Sequence, residues 1–148
     1  MNIFLVILFL FFAGSLIGWG IEVLWRKFFS AANPEHKWIN PGFLVGPYLP
    51  LYGFSLTILF LLTFIDVSFI ENKYLAQAFL FVCMAVSITI FEYIAGLIFI
   101  KGMKIKLWDY SKCWGNIQGI ICPLYTFFWY ILSAVYYFLI HPKILNWL

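Results

Sequence analysis

Four long stretches of apolar residues dominate the sequence, and short segments holding most of the charged residues separate them. A bilayer core about 30 Å thick requires about 20 residues of helix to cross it. The stretches at about 3–25, 44–65, 74–100 and 114–140 meet that length. They predict an all-α membrane bundle of four transmembrane helices, forming a single domain over residues 1–148.

The composition supports a membrane protein. Of the 148 residues, 65% are apolar and 10% are charged, whereas a soluble domain is about 45–50% apolar and about 25% charged. This excludes a water-soluble enzyme, a nucleic-acid binder and a disordered tail, and makes the lipid bilayer the expected surroundings. Cys83, Cys113 and Cys122 lack C-x-x-C spacing, so we interpret them as small apolar side chains rather than metal ligands or a disulfide framework.

The basic residues predict the topology. Loops 26–43 and 101–113 contain seven of the nine Lys and Arg residues. By the positive-inside rule both loops are cytoplasmic, and the termini and the Asp66–Lys73 turn lie outside. We therefore expect a multi-pass protein of the plasma membrane. The first span lacks a basic n-region, so we expect it to be retained rather than cleaved as a signal peptide.

An internal repeat relates the two halves. Sixteen residues separate Glu22 from Trp38, and sixteen separate Glu92 from Trp108. Two later segments share Gly, Pro, Leu and Tyr in register: GPYLPLY from Gly46 to Tyr52, and GIICPLY from Gly119 to Tyr125. The alternative is coincidence in a sequence rich in Leu, Tyr and Trp. A true repeat predicts two parallel two-helix units about an axis along the membrane normal, with the glutamates facing each other.

Two glutamates lie within predicted spans, where ionisable side chains are costly and usually functional. Glu92 precedes Lys101 by nine residues, which places it roughly 13 Å inside the third helix. It either has a function or a buried partner such as Arg26, or it is simply tolerated in the span. Glu22 either has a function or forms an i,i+4 ion pair with Arg26, beside a seam of small residues at Gly14 and Gly18.

Each half also contains a G-x-x-x-P element. A helical proline cannot donate to the carbonyl four residues before it. If Pro123 lies inside the fourth span, the Gly119 carbonyl needs another partner. Pro50 fits the first turn of the second span, where a proline costs little. Breaks at matching places in two halves indicate a transporter site, although proline kinks are also common as plain structure.

The remaining polar residues map to the cytoplasmic half by topology. Asp109 or Ser111 is a candidate cap for the fourth helix, and Trp108 and Tyr110 fit the aromatic belt. Arg26 can hold a carboxylate or phosphate, or serve as a snorkelling anchor. The candidate substrate-binding or pathway residues are Glu22, Arg26, Asn40, Gly46, Tyr52, Glu92, Trp108, Asp109, Asn116 and Gly119.

Several ordered motifs carry a family resemblance. They are G-S-x-x-G-W-x-x-E from Gly14, N-x-G-F-L-x-G-P-x-x-P-x-Y-G from Asn40, E-Y-x-x-G from Glu92, W-D-Y-S from Trp108 and N-x-x-G-x-I-C from Asn116. Together they resemble the CmpB-type, or type IV, ABC-transporter permease family. The resemblance implies a membrane transport subunit. The chain departs from the family pattern at Pro41, residues 97–99 and Ile120, which are uncharged here where the family often has charged residues.

We rank three functions. The first is a permease-like transport subunit that forms a homo-oligomer or joins other membrane subunits, with Glu22, Glu92, Asp109 and Asn116 lining a cytoplasmic vestibule. No G-x-x-x-x-G-K loop is present, so any ATPase is a separate chain. The second is a structural or assembly subunit. The third is a membrane enzyme or lipid-headgroup binder using Glu92 and Arg26; with no nucleophile–base pair or metal cluster to support catalysis, it ranks last. We expect no cofactor.

Overall fold

The computed structural model describes residues 2–42 and 44–147. Its helices are α1 (Ile3–Phe28), α2 (Pro50–Leu62), α3 (Lys73–Ile98), α4 (Pro123–Val135) and α5 (His141–Leu145). One π-helical turn, Phe99–Met103, extends α3, and another, Tyr136–Ile140, joins α4 to α5. The described residues form no strand beyond an isolated bridge between Ile117 and Ile121. The all-α prediction is confirmed.

Three helical segments are long and apolar enough to cross a membrane: Ile3–Phe28, Lys73–Met103 and Pro123–Leu145. The helices of the second and fourth predicted spans begin later in the sequence than those spans. Their helices begin at Pro50 and Pro123, six and nine residues after the predicted starts at about 44 and 114. The preceding Gly46 and Gly119 have φ values of +128° and +68°, which interrupt a helix, and a proline suits the first helical position.

The two halves have matching elements. α1 and α3 each contain 26 residues, and Ile3 and Lys73 begin them 70 positions apart. Asn2 and Asn72 cap them, each accepting from the backbone N–H two residues ahead. α2 and α4 each contain 13 residues and begin 73 positions apart. These offsets equal those of the sequence motifs, which supports the repeat; the two-fold axis stays a prediction.

The structure divides into two compact units, Asn2–Thr57 and Ile58–Leu148, which we call the N-terminal and C-terminal units. In the N-terminal unit, α1 packs closely on the first turns of α2. A Cβ atom on Gly14 would lie 3.1 Å from the Gly53 Cα, and one on Gly53 would lie 2.3 Å from the Phe11 carbonyl oxygen. The predicted seam of small residues therefore lets a second helix approach α1.

In the C-terminal unit, α3 packs against α4. The Phe81 ring meets the rings of Tyr130 and Tyr137 edge to face, with centroids 5.9 and 5.4 Å away. Nearer the loop, the hydroxyls of Thr89 and Thr126 are 2.9 Å apart and bonded. The single domain of the sequence analysis stays a prediction.

Candidate functional site

The loop of the N-terminal unit, described over residues 29–42 and 44–49, returns along α1 instead of remaining at its end. The Leu49 N–H donates to the Ser15 carbonyl at 3.0 Å, and Trp19 Nε1–H donates to Asn40 Oδ1 at 3.0 Å. Ser15 is thirteen residues before Phe28, or about 20 Å along the helix at 1.5 Å per residue. The loop thus reaches the middle of α1, where α2 begins, and we call a loop that returns along its helix in this way re-entrant.

Side chains of the loop satisfy its irregular backbone. Asn40 Nδ2 donates to the Leu44 carbonyl, and Asn40 Oδ1 accepts from the Gly42 N–H. Asn33, which is buried, donates to the Arg26 and Lys37 carbonyls at 3.1 and 2.8 Å. Asn40, a predicted site residue, therefore holds the loop in shape.

Glu22 lies where this loop meets α1. Arg26 Nε donates to Glu22 Oε1 at 3.0 Å, which confirms the i,i+4 ion pair. The Tyr52 hydroxyl donates to Glu22 Oε2 at 2.9 Å. Gly18 makes room for this partner, because a Cβ there would lie 2.2 Å from the Tyr52 ring. Three predicted residues, Glu22, Arg26 and Tyr52, thus form one half-buried cluster.

The loop of the C-terminal unit, residues 104–122, is also re-entrant. Tyr93 donates through its hydroxyl to Gln118 Oε1 at 3.1 Å. The Ile120 side chain occupies the space left by Gly96, where a Cβ would lie 2.4 Å from it. Gly96 and Tyr93 precede Met103 by seven and ten residues, or about 10 and 15 Å along the helix. Trp108 Nε1–H donates to the Ile120 carbonyl at 2.8 Å and fixes the loop.

Glu92 is buried, with 3% of its surface exposed. The Tyr110 hydroxyl donates to Oε1 at 3.0 Å, and Trp129 Nε1–H donates to Oε2 at 3.1 Å. The Tyr110 ring stacks on that of Tyr125, with centroids 4.1 Å apart. Tyr110, which also fits the aromatic belt, thus positions the carboxylate. Sequence spacing missed the role of Tyr110 and Trp129, although most buried polar groups have hydrogen-bond partners of this kind.

Asp109 and Asn116 hold the loop rather than α4. Asp109 Oδ1 accepts from the Ser111 N–H at 2.9 Å and pairs with Lys106 Nζ at 3.0 Å. The Ser111 N–H and hydroxyl, followed by Lys106, lower the pKa of Asp109 to about 2. The capping prediction for Asp109 or Ser111 is wrong, because α4 begins at Pro123 with Cys122 before it.

Asn116 closes the same loop. Its Nδ2 donates to the Ser111 and Cys113 carbonyls at 3.1 and 2.9 Å, and its Oδ1 accepts from the Gly119 N–H at 2.9 Å. The Gly119 carbonyl accepts from the Tyr110 N–H at 2.8 Å. The Tyr110 N–H is thus the hydrogen-bond donor that the Gly119 carbonyl was predicted to need. Pro123, however, begins α4 rather than interrupting a helix.

The two glutamates occupy equivalent places with different surroundings. Each has both carboxylate oxygens bonded, Glu22 by a guanidinium and a tyrosine, and Glu92 by a tyrosine and a tryptophan. Gly96 lies 70 positions after Arg26, and the Ile120 side chain covers it. Gly46 forms a turn, its carbonyl accepting from the Tyr48 N–H at 3.0 Å. The expectation that the glutamates face each other stays a prediction.

Comparison with known proteins agrees with the motifs. A family model described as "Putative ABC-transporter type IV" matches residues 9–148. No curated protein and no solved structure matches the chain. With nearly its whole length matched, and with helices long and apolar enough to cross a membrane, this chain is a membrane protein that belongs to the ABC-transporter type IV family.

Proposed function

We propose that this chain is a permease-like subunit of a membrane transport system, with a polar site in its cytoplasmic half. The observation that carries the proposal is the duplicated re-entrant loop. In each half a long helix presents a glutamate, an irregular loop returns beside it, and a proline begins the next helix. Irregular segments at matching positions of two repeats indicate a transport site.

The need to hydrogen-bond irregular backbone inside a membrane supports our proposal that water reaches these loops. Irregular backbone at membrane depth persists where protein covers it or water reaches it. Several loop residues are exposed, among them Asn40, Gln118 and the fully exposed Val45. α2 and α4 also begin at membrane depth, and the N-terminus of a helix carries partial positive charge. The site thus combines acids, amides and helix ends that suit a polar substrate.

We place the polar surface of each loop on the cytoplasmic side of the plasma membrane. The predicted loops 26–43 and 101–113 carry seven of the nine basic residues, and such loops remain in the cytoplasm. The candidate pathway residues are those of the two loops and their glutamates. With four helices too few to enclose a wide path, we propose that the chain acts as a homo-oligomer or with other membrane subunits, and with an ATPase from a separate chain.

Isosteric glutamate variants test the proposal. Cells lacking the protein are complemented with the wild type, Glu22→Gln, Glu92→Gln or the control Glu71→Gln, an exposed acid in the turn before α3. Mass spectrometry then compares small molecules inside the cells and in the medium. We expect the wild type and Glu71→Gln to restore the same distribution of one class of compounds, and the other two variants to fail.

The alternatives predict different results. If the polar residues serve assembly, Glu92→Gln lowers the thermal stability of the purified complex and leaves the small-molecule distribution at the wild-type level. If the site modifies or binds lipid headgroups, Glu92→Gln changes the lipid composition of the cells instead. Either result contradicts the transport proposal, as does an unchanged distribution on deleting the protein altogether.

A further inference from the structure

A groove of about 490 Å³ lies on the C-terminal unit. Val82 and Val86 of α3 form part of it, facing Ile117 and Ile121 of the loop and Phe127 and Tyr130 of α4. The volume falls in the range of small-molecule sites, about 300–1,000 Å³. Neither glutamate lines this groove, although loop 104–122 contributes to it.

Two of the polar groups beside the groove are already bonded within the protein. Thr126 Oγ1 is bonded to the Thr89 hydroxyl and donates to the Cys122 carbonyl at 3.2 Å. The Ile117 N–H donates to the Ile121 carbonyl at 2.9 Å. Since the remaining lining is mostly aliphatic and aromatic, a polar occupant would lose its hydration without compensation. The groove therefore suits a hydrocarbon.

The position of the groove along α3 allows lipid acyl chains to contact it. Val82 and Val86 follow Lys73 by nine and thirteen residues, or about 14 and 20 Å, in the Lys73–Met103 segment that is long enough to cross a membrane. Val82, Val86 and Phe127 are 48%, 45% and 57% exposed. The groove thus opens outward at a depth where lipid chains are the solvent.

The loop beside the groove supplies a place for a headgroup. Lys112 and Trp114, both exposed, immediately precede the groove residue Gly115. Basic residues near a membrane surface attract anionic lipids, and tryptophan favours headgroup depth. We propose that the groove binds one acyl chain of a bilayer phospholipid, whose anionic headgroup lies at Lys112. This binding does not require that the protein transport a substrate.

Photocrosslinking tests whether the groove binds an acyl chain. The purified protein is reconstituted in vesicles containing phosphatidylglycerol with a diazirine in its acyl chain, irradiated, digested and mapped by mass spectrometry. We expect labels concentrated on groove residues, and a several-fold loss of those labels in Val82→Trp and in Val86→Trp, which fill the groove. Ile90→Trp, at an exposed α3 position outside the lining, retains them.

Labels spread evenly over the exposed helices, or unchanged in both groove variants, would overturn the proposal. So would crosslinks from groove residues to a second protein chain, because the occupant would then be protein. Circular dichroism and gel filtration of each variant establish that it is folded before its labels are compared.

The headgroup is tested by lipid competition. Unlabelled phosphatidylglycerol and phosphatidylcholine are compared as competitors against the photoreactive lipid. Lys112→Gln is expected to reduce the preference for phosphatidylglycerol about five-fold, the effect of one lysine near the surface, while Lys143→Gln leaves it unchanged. An equal preference in wild type and Lys112→Gln would contradict the assignment of the headgroup to Lys112.

Discussion

At the scale of single residues, the donors around Glu92 determine what a substitution does. Trp129 Nε1–H can only donate, whereas the Tyr110 hydroxyl can also accept. A glutamine can therefore direct its oxygen to Trp129 and its amide N–H to Tyr110, preserving both hydrogen bonds. An alanine leaves a buried N–H and a hydroxyl without their acceptor, which costs about 1–3 kcal/mol for each unsatisfied group.

We accordingly predict that Glu92→Ala lowers the midpoint of thermal unfolding clearly and Glu92→Gln does so slightly. Intrinsic fluorescence or static light scattering of the detergent-solubilised protein measures both. If Glu92→Gln destabilised the protein as much as Glu92→Ala, the carboxylate charge rather than its hydrogen bonds would stabilise the fold, contrary to this account.

The hydrogen bonds of Asp109 predict that the stability of the loop changes with pH only under acidic conditions. The pKa of Asp109 in the folded protein is about 2, below the usual aspartate pKa of 3.8, because the Ser111 N–H, the Ser111 hydroxyl and Lys106 favour the carboxylate. The stabilisation is therefore complete above pH 3.8 and is lost as the pH falls through about 2. Hydrogen exchange in residues 104–122 should rise over that interval in the wild type, and less in Asp109→Asn. Equal rises in both would exclude Asp109 as the cause.

At the scale of elements, close approach between helix and loop depends on particular glycines. A Cβ on Gly18 would lie 2.2 Å from Tyr52, and one on Gly53 would lie 2.3 Å from backbone. Gly18→Ala and Gly53→Ala should each destabilise the protein by about 1–3 kcal/mol, the usual cost of overpacking.

Gly20 is the matched control, because nothing lies within 4 Å of a Cβ there. Gly20→Ala should unfold at or slightly above the wild-type temperature, since alanine favours a helix. Gly18→Ala should also weaken the contact of Tyr52 with Glu22 and reduce the function assayed with Glu22→Gln. Equal stability of Gly18→Ala and Gly20→Ala would refute the described packing.

The elements also indicate which features a sequence can predict. α1 and α3 follow long unbroken apolar stretches and were predicted to within about three residues at each end. The starts of α2 and α4 were not, because apolar residues also occur at the ends of the loops before them: Leu44 and Val45 precede Pro50, and Ile117, Ile120 and Ile121 precede Pro123. Hydropathy alone does not distinguish such a loop end from the first turns of a helix, whereas the glycines at positive φ mark where the helix is interrupted.

Some features of the candidate site could also be predicted from the sequence, and others could not. The Glu22–Arg26 pair was predictable because it depends on local helix geometry. Trp129 is 37 residues from Glu92, and only the folded α3–α4 pair brings them together. The sequence identified Asn40, Asp109 and Asn116 as polar residues of the predicted cytoplasmic half. Their part in closing the loops depends on backbone conformation that a single sequence does not specify.

At the scale of the whole molecule, the two halves repeat one arrangement of two helices and a loop. Helices of 26 and 13 residues recur at offsets of 70 and 73, and each pair encloses a re-entrant loop and a bonded glutamate. The two halves differ at one equivalent position. Arg26 forms an ion pair with Glu22 in the first half, whereas the equivalent residue of the second half, Gly96, contacts the Ile120 side chain.

We therefore predict that the Arg26→Gln variant loses function in the small-molecule assay. The Gly102→Ala variant, at a glycine near Gly96 with open space around it, should retain function. Equal function in both variants would contradict a role for the charged pair.

The central claim, that each loop reaches membrane depth and is open to the cytoplasm, is tested most directly by cysteine accessibility. Single cysteines at Val45, Gln118, Ile17 and Ile90 are introduced into a background lacking the three native cysteines. Inside-out and right-side-out vesicles are then treated with a charged, membrane-impermeant thiol reagent. The account predicts labelling of the Val45 and Gln118 positions from the cytoplasmic face, with the exposed helix positions Ile17 and Ile90 unlabelled. Loop positions that resist the reagent from that face, or react only from the outer face, would contradict it.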